Sequence, residues 1–233
     1  MSGTLYGLGI GPGDPDLITL KAHGILRRVS VIAYPAPEHG DSLARRIVAS
    51  HLPGGQREIA IRMPLDAARF PAREVYDEAA EAIRAALDSG DDVAALCEGD
   101  PFLYGSFAYL FARLADTHRV EIVPGVSSLT AAAAAARQPL ALRSDVLTVI
   151  PAPLPDDEIA RRLAQTDSAA IMKLGRHLSR VRALLDRLGL GHRARYVEHA
   201  TMVGQKVLPL AEVPEPAPYF SLILIAGEGV PRR

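Results

Sequence analysis

Cysteine is nearly absent from these 233 residues. The single one, Cys97, has no partner for an internal disulfide, which fits a reducing, cytoplasmic setting. No grouping of Cys, His and acidic residues has the spacing of a metal site. Charge of one sign is missing too: 26 Lys and Arg face 27 Asp and Glu, a net charge of −1. Nucleic-acid proteins normally present a basic face, so that class is disfavoured, while a locally basic pocket for a small acidic molecule stays open. No apolar run approaches the roughly 18 residues of a membrane span, and the longest bland stretch is Ala131–Ala136. The opening MSGTLYGLGIGPGD has neither the charged head nor the apolar run of a signal peptide. The expected partner is a small molecule, with neither nucleic acid nor membrane.

What is present is a chain 48% hydrophobic, long enough for two compact domains of roughly 100–130 residues. Short apolar runs alternate with helical patterns, the mark of βα units and a largely parallel sheet. Residues 4–10, 29–34, 57–63, 92–97 and 120–123 read as strands, with helices at 42–52, 75–87 and 107–115. Asp14 reads as an N-cap with Pro15 at the first helical position, and Pro35 and Pro37 as the stop of the second strand. The run 92–97 is apolar without alternation, as a central strand covered on both faces requires. Pro124-Gly125 breaks the chain, so the expected domains are 1–120 and 121–233. The second half reads as helices at 128–137, 157–164 and 178–188, with strands at 146–150, 169–174, 194–198, 205–209 and 219–225 and more antiparallel character.

Two turns carry the functional signal. Gly7-x-Gly9-x-Gly11-x-Gly13 invites a dinucleotide reading, but G-x-G-x-x-G fails in either register: the sixth position is Pro12 from Gly7 and Asp14 from Gly9. There is no G-K-[ST] either, so phosphate binding is not expected, and the plain alternative is a tight strand-to-helix turn. The second turn, Glu98-Gly99-Asp100-Pro101-Phe102-Leu103-Tyr104-Gly105, follows the central strand at the carboxyl edge, where open α/β sheets bind ligands. Taken alone, an ordinary β-turn with Asp100 satisfying local N–H groups is the simpler reading.

Five stretches in order resemble the tetrapyrrole methylase family of S-adenosylmethionine-dependent methyltransferases. They are Gly9-x-Gly11-Pro12-Gly13-Asp14-Pro15-x-Leu17-x-Thr19, Glu98-Gly99-Asp100-Pro101, Val123-Pro124-Gly125-Val126-Ser127-Ser128, Ile171-Met172-Lys173, and Glu198-His199-Ala200-Thr201 with Gln205. The resemblance runs from Thr4 to about Gly229. Within the family, Glu-Gly-Asp-Pro-x-x-Tyr at 98–104 and Lys173 are most similar to the branch that methylates C(20) of precorrin-2, since the uroporphyrinogen-III branch usually has Gly-Gly-Asp-Pro and Met there.

The resemblance implies the α/β, two-domain, class III methyltransferase fold, with the cofactor in the cleft between the domains, and homodimers. It implies S-adenosyl-L-methionine as donor, S-adenosyl-L-homocysteine as its product, and a tetrapyrrole as acceptor. By position, Pro12, Glu98, Gly99, Asp100, Leu103, Ser128, Leu129, Lys173, Ala200, Ile225 and Ala226 would line the cofactor pocket, many through main-chain atoms. Glu98, Asp100 and Tyr104 are the candidate catalytic groups, with His199 a weaker one that more simply bonds locally. Gly11, Gly13, Asp14, Lys21, Arg137, Arg143 and Arg176 are candidates to meet the substrate, arginine because its fork binds carboxylates. The pairs Arg27-Arg28, Arg45-Arg46 and Arg161-Arg162 read as solvent faces. Such chemistry needs in-line orientation rather than a built nucleophile or a metal. Alternatives are the cobalt-bearing substrate, another precorrin or uroporphyrinogen methyltransferase, a methylase of diphthamide precursors or ribosomal RNA, and a ligand-binding module without catalysis.

Overall fold

The structure, a computed structural model, describes residues 2–63 and 73–227, so the end of the resemblance near Gly229 lies outside the described residues. The chain divides into two compact units, Met1–Ser127 and Ser128–Arg233.

The first unit contains β1 (Thr4–Gly9), α1 (Leu20–Leu26), β2 (Val31–Pro37), α2 (Leu43–Ile47), β3 (Arg57–Met63), α3 (Arg73–Asp88), β4 (Val93–Cys97), α4 (Phe107–Leu114) and β5 (Arg119–Val123). Its sheet has the order β3-β2-β4-β1-β5, and every pairing is parallel. Both central strands, β1 and β4, are buried throughout. The two-residue period of a strand sends Val93, Ala95 and Cys97 into the core under α3 and α4. It sends Ala94 and Leu96 into the core under α1 and α2. This is why 92–97 reads as an unbroken apolar run.

The second unit contains α5 (Ser128–Ala136), β6 (Leu147–Pro151), α6 (Asp156–Leu163), β7 (Ser168–Met172), α7 (Leu178–Arg187), β8 (Ala194–Glu198), β9 (Lys206–Pro209) and β10 (Ser221–Ile225). The sheet order is β6-β7-β10-β8-β9. Only β6 and β7 run parallel; β10 is antiparallel to both neighbours, and β9 to β8. One face is covered by α6 and α7 through Ala169, Ile171, Ile223 and Ile225, the other by α5 through Ala170, Leu222 and Leu224.

Four expectations shift. The first unit ends at Ser127, not 120, because β5 pairs with β1 from Thr4↔Arg119 to Leu8↔Val123 and completes the first sheet. Strand β2 runs on through Pro35 and Pro37 instead of stopping before them. Its pairing to β4 ends at Ala33↔Ala95 while its pairing to β3 continues to Pro37↔Met63, so a proline there can lie with its missing N–H on the unpaired side. Asp14 caps only a 3-10 turn, Pro15–Leu17, and Thr19 caps α1 by accepting from Ala22 N at 3.2 Å. The expected helix 42–52 is α2 followed by a 3-10 turn, Ala49–His51, where His51 Nε2 donates to the Pro15 carbonyl at 3.0 Å.

Candidate functional site

Three loops meet at the carboxyl edge of the first sheet, where β1, β4 and β5 end side by side. Ile10 N donates to Cys97 O at 3.0 Å and Gly99 N to Gly11 O at 2.8 Å, which makes Gly11 and Gly99 an isolated antiparallel bridge. Both sit at positive φ, +80° and +71°, a region open to glycine without penalty. The approach between loops is backbone on backbone. A Cβ on Gly9 would lie 2.4 Å from Gly125 N, and one on Gly125 would lie 2.1 Å from Gly99 O. The glycine-rich turn therefore serves close packing, and it leads into a 3-10 turn rather than a helix N-terminus.

Asp100 locks this arrangement. Its Oδ1 accepts from Phe102 N at 2.9 Å and Leu103 N at 3.2 Å, and its Oδ2 accepts from Gly125 N at 3.1 Å. The Asp100 carboxylate, expected among the catalytic groups, has three main-chain donors and so holds the shape of these turns. Glu98 differs. Burial pushes its carboxyl above the usual range, despite bonds from its own N–H and from Ala44 N–H in α2. Beyond Asp100 the loop presents Phe102, Leu103 and Tyr104 to solvent. Tyr104 is held at φ +55°, an uncommon setting for a bulky residue that neighbouring structure must enforce.

The second unit gathers its own group where β7 and β8 end beside the start of β10. Lys173, His199 and Thr201 all have positive φ, +60°, +49° and +69°, in loops fixed by nearby bonds. His199 N donates to Phe220 O at 2.9 Å, and Thr201 N donates to Gln205 Oε1 at 2.7 Å. Beneath them Glu198 is buried and accepts from Tyr196 OH at 2.5 Å and Lys206 Nζ at 2.8 Å. Burial opposes its ionisation, but the Lys206 and Tyr196 bonds outweigh that and hold the carboxyl below its usual range. Burial, together with the bond to Glu198, pushes the Tyr196 phenol up. Leu129 of α5 packs in one cluster with Ala200 and Leu222, with Met172 against it, so Ser128, Leu129, Lys173, Ala200 and exposed Arg176 belong to this end.

Other expected residues stand elsewhere. Ile225 pairs with Ala169 and Ala194 at the starts of β7 and β8, whereas Met172 and Glu198 pair with Leu222 and Ser221. Ile225 and Ala226 thus lie about 13 Å along β10 from the Lys173 and Ala200 end, and the Ala226 carbonyl already accepts from Arg193 Nε at 2.9 Å. The antiparallel course of β10 is the reason, and it places Phe220 beside His199 and Ser221 opposite Glu198. Arg143 adjoins Asp145, which contacts the Gly227 end, and Arg137 closes α5 about 13 Å from Ser128; both are exposed. Lys21 is not a free cation: its ammonium pairs with Glu121 at 2.7 Å. Pro12 is buried and Gly13 and Asp14 half-buried beside the Gly11–Gly99 bridge. Among the described residues no cluster of His, Cys, Asp and Glu could hold a metal ion, and no helix is long and apolar enough to cross a membrane.

A parallel sheet with welded glycine turns at its carboxyl edge, followed by a mixed sheet with strained loops, defines a recognised class. The family model for Tetrapyrrole (Corrin/Porphyrin) Methylases matches residues 4–214, and the chain belongs to that family. It is 38% identical to a precorrin-2 C(20)-methyltransferase of Sinorhizobium sp. over 234 residues, 97% of this chain and 96% of that one. It is 39% identical to a cobalt-precorrin-2 C(20)-methyltransferase of Salmonella typhimurium over 230 residues, 97% of each chain. The crystal structure of uroporphyrin-III C-methyl transferase from Thermus thermophilus, complexed with S-adenyl homocysteine, matches with TM-score 0.71 and 25% identity, covering 96% of this chain and 92% of that one. The chain spans about half the length, 46%, of other curated relatives to which it is 44% identical.

Proposed function

We propose that the chain is an S-adenosylmethionine-dependent C-methyltransferase that methylates precorrin-2 at C(20), giving precorrin-3A in cobalamin biosynthesis. The observation that carries this reading is the Glu98-Gly99-Asp100-Pro101 turn, held to Gly11 by a main-chain bond and to Gly125 by the Asp100 carboxylate, in a member of the tetrapyrrole methylase family. Full-length similarity to two C(20)-methyltransferases supports the choice of carbon.

The residues present fit the donor, whose adenosyl group asks for apolar surface and main-chain partners rather than a charged cage. In the first unit we assign Pro12, Gly99, Asp100 and Leu103 to it; in the second, Ser128, Leu129, Lys173 and Ala200. The donor supplies a methyl already activated on a sulfonium. What the chain must add is orientation and exclusion of water, and alignment of this kind is worth on the order of 7–11 kcal/mol in favourable systems. Glu98 is the group we assign to accept the proton that leaves the methylated carbon. Its raised carboxyl suits a base working closer to neutral pH. We assign Tyr104, Gly11, Gly13, Asp14 and Arg176 to the acceptor side.

A second reading, the cobalt-bearing acceptor, is favoured by the Salmonella relative, as similar to this chain as the Sinorhizobium one. We further propose a homodimer working in the cytoplasm, to be checked by sedimentation and by cell fractionation. Calorimetry with S-adenosylhomocysteine tests the donor assignment: micromolar or tighter binding is expected, and no binding at millimolar ligand contradicts it.

A further inference from the structure

At the carboxyl ends of β2 and β3 lies an open cavity of about 280 Å³ whose wall includes Tyr34, Asp41, Ser42, Arg45, Arg46 and Arg62. Arg45 is half-buried, and Arg46 and Arg62 are exposed at the rim. Arg45 is committed: its Nε donates to Glu58 Oε1 and Oε2 at 3.0 and 3.1 Å. Tyr34 donates to the same carboxylate at 2.6 Å, and burial together with that bond pushes the phenol up, so Tyr34 stays a donor. Ser42 is spent on the loop, donating to Pro35 O and accepting from Arg45 N. Arg62 is held by the Pro37 and Glu38 carbonyls through one terminal nitrogen, at 3.0 and 3.4 Å. Among the described residues no carboxylate lies within ion-pair distance of Arg46 or Arg62. Among the described residues the lining carries three arginines and one carboxylate, Asp41, and Arg45 is neutralised by Glu58 behind it.

We infer that this cavity is a subsite for one carboxylate arm of the acceptor, gripped by Arg46 and Arg62. The inference rests on the proposed function, because it takes the ligand to be a tetrapyrrole polycarboxylate. Charge gives the chemistry: guanidinium forks without carboxylate partners, in a partly enclosed wall, suit a carboxylate. Size sets the extent. Sites that enclose a whole ligand run to roughly 300–1,000 Å³, so this cavity takes an arm while the ring stays outside. Position supplies the link to the chemistry. Strand β2 neighbours β4 in the sheet, and adjacent strands lie about 4.8 Å apart. The cavity is therefore one strand over from the turn at Glu98, whose carboxyl is influenced by the main chain of Ala44, between two of the lining residues. A ring anchored here by its edge lies within reach of the proton acceptor.

The test uses uroporphyrin, a stable octacarboxylate, as the binding probe and precorrin-2 as the substrate. Arg46→Gln and Arg62→Gln are each expected to weaken uroporphyrin binding about tenfold and raise KM for precorrin-2 similarly, with kcat and S-adenosylhomocysteine affinity unchanged. Arg161→Gln, on α6, is the control with no effect. Arg62→Lys keeps the charge and loses the fork, and is expected to recover only part of the affinity. Should Arg62 variants misfold, the unmutated chain serves: phenylglyoxal is expected to modify Arg46 in the absence of uroporphyrin and not in its presence. Uroporphyrin affinity within twofold of the unmutated chain in both Gln variants, or unprotected Arg46, overturns the subsite. If those variants bind S-adenosylhomocysteine and methylate precorrin-2 with unchanged KM, the subsite alone fails. If the unmutated chain does neither, the function fails.

Discussion

The Asp100 carboxylate bonds the main chain of Gly125 at 3.1 Å, across 25 residues of sequence. One side chain thereby fixes the turn after β4 against the turn after β5, while its other oxygen holds Phe102 N and Leu103 N. Removing it leaves three N–H groups without their acceptor. Bonds to a charged group are worth about 1.5–3 kcal/mol, so Asp100→Ala is expected to lose about 2 kcal/mol of stability and at least tenfold in S-adenosylhomocysteine affinity. Asp100→Asn, which keeps one acceptor oxygen, falls between. Chemical denaturation and calorimetry on the three proteins check the order.

The packing of Gly125 gives a sharper contrast. A methyl there would sit 2.1 Å from Gly99 O and 2.7 Å from Gly9 Cα, all backbone, so nothing flexible can yield. We expect Gly125→Ala to cost about 3 kcal/mol. Gly24 lies inside α1 with nothing within 4 Å of its added Cβ. There the same substitution is expected to stabilise by about 0.5–1 kcal/mol. Urea unfolding of both variants distinguishes close packing from a general preference for glycine.

Glu98 is expected to work against the fold. Its folded carboxyl is raised above the ordinary value of 4.5, through burial. A raised acid is at its most favourable below the unfolded pKa and loses that advantage as pH rises through the folded one. Glu98→Gln is therefore expected to raise the melting temperature at pH 7, with the gain disappearing near pH 4, while kcat falls at least tenfold. A variant both less stable at pH 7 and fully active contradicts the assigned role.

Glu198 runs the other way. Its folded carboxyl is lowered, because the Lys206 and Tyr196 bonds outweigh burial. The stability it contributes is present above the unfolded value near 4.5 and is lost as pH falls through the folded one. Melting curves from pH 7 to 3 are expected to drop more steeply for the unmutated chain than for Glu198→Gln. Lys206→Met, which leaves a buried carboxylate without its cation, is expected to cost about 2 kcal/mol at pH 7.

Much of this architecture is legible in residue order because local pattern and burial agree. The unbroken apolar run of β4 announces a strand covered on both faces, and the spacing of Tyr76, Ala79, Ala80, Ile83 and Leu87 announces the buried stripe of α3. What is not legible depends on partners distant in sequence. Pro35 and Pro37 look like a strand stop until β2 is seen to lose β4 as a neighbour beyond Ala33. That Ile225 and Ala226 lie at the opposite end of the sheet from Lys173 and Ala200 follows only from the antiparallel course of β10. Arg46 is the solvated helix residue its position suggests, and only the loop after β2 and the end of β3 place it beside a cavity as well. Lys21 looks free until Glu121 on β5 is placed beside it.

The central claim is a methyl transfer to one carbon, so the product's structure tests it most directly. Purified chain is incubated with precorrin-2 and S-adenosylmethionine bearing a ¹³C-methyl group, and the product is examined by NMR. The account predicts a single new labelled methyl on C(20). A label at any other ring carbon, or no labelled product from protein that binds S-adenosylhomocysteine, contradicts it.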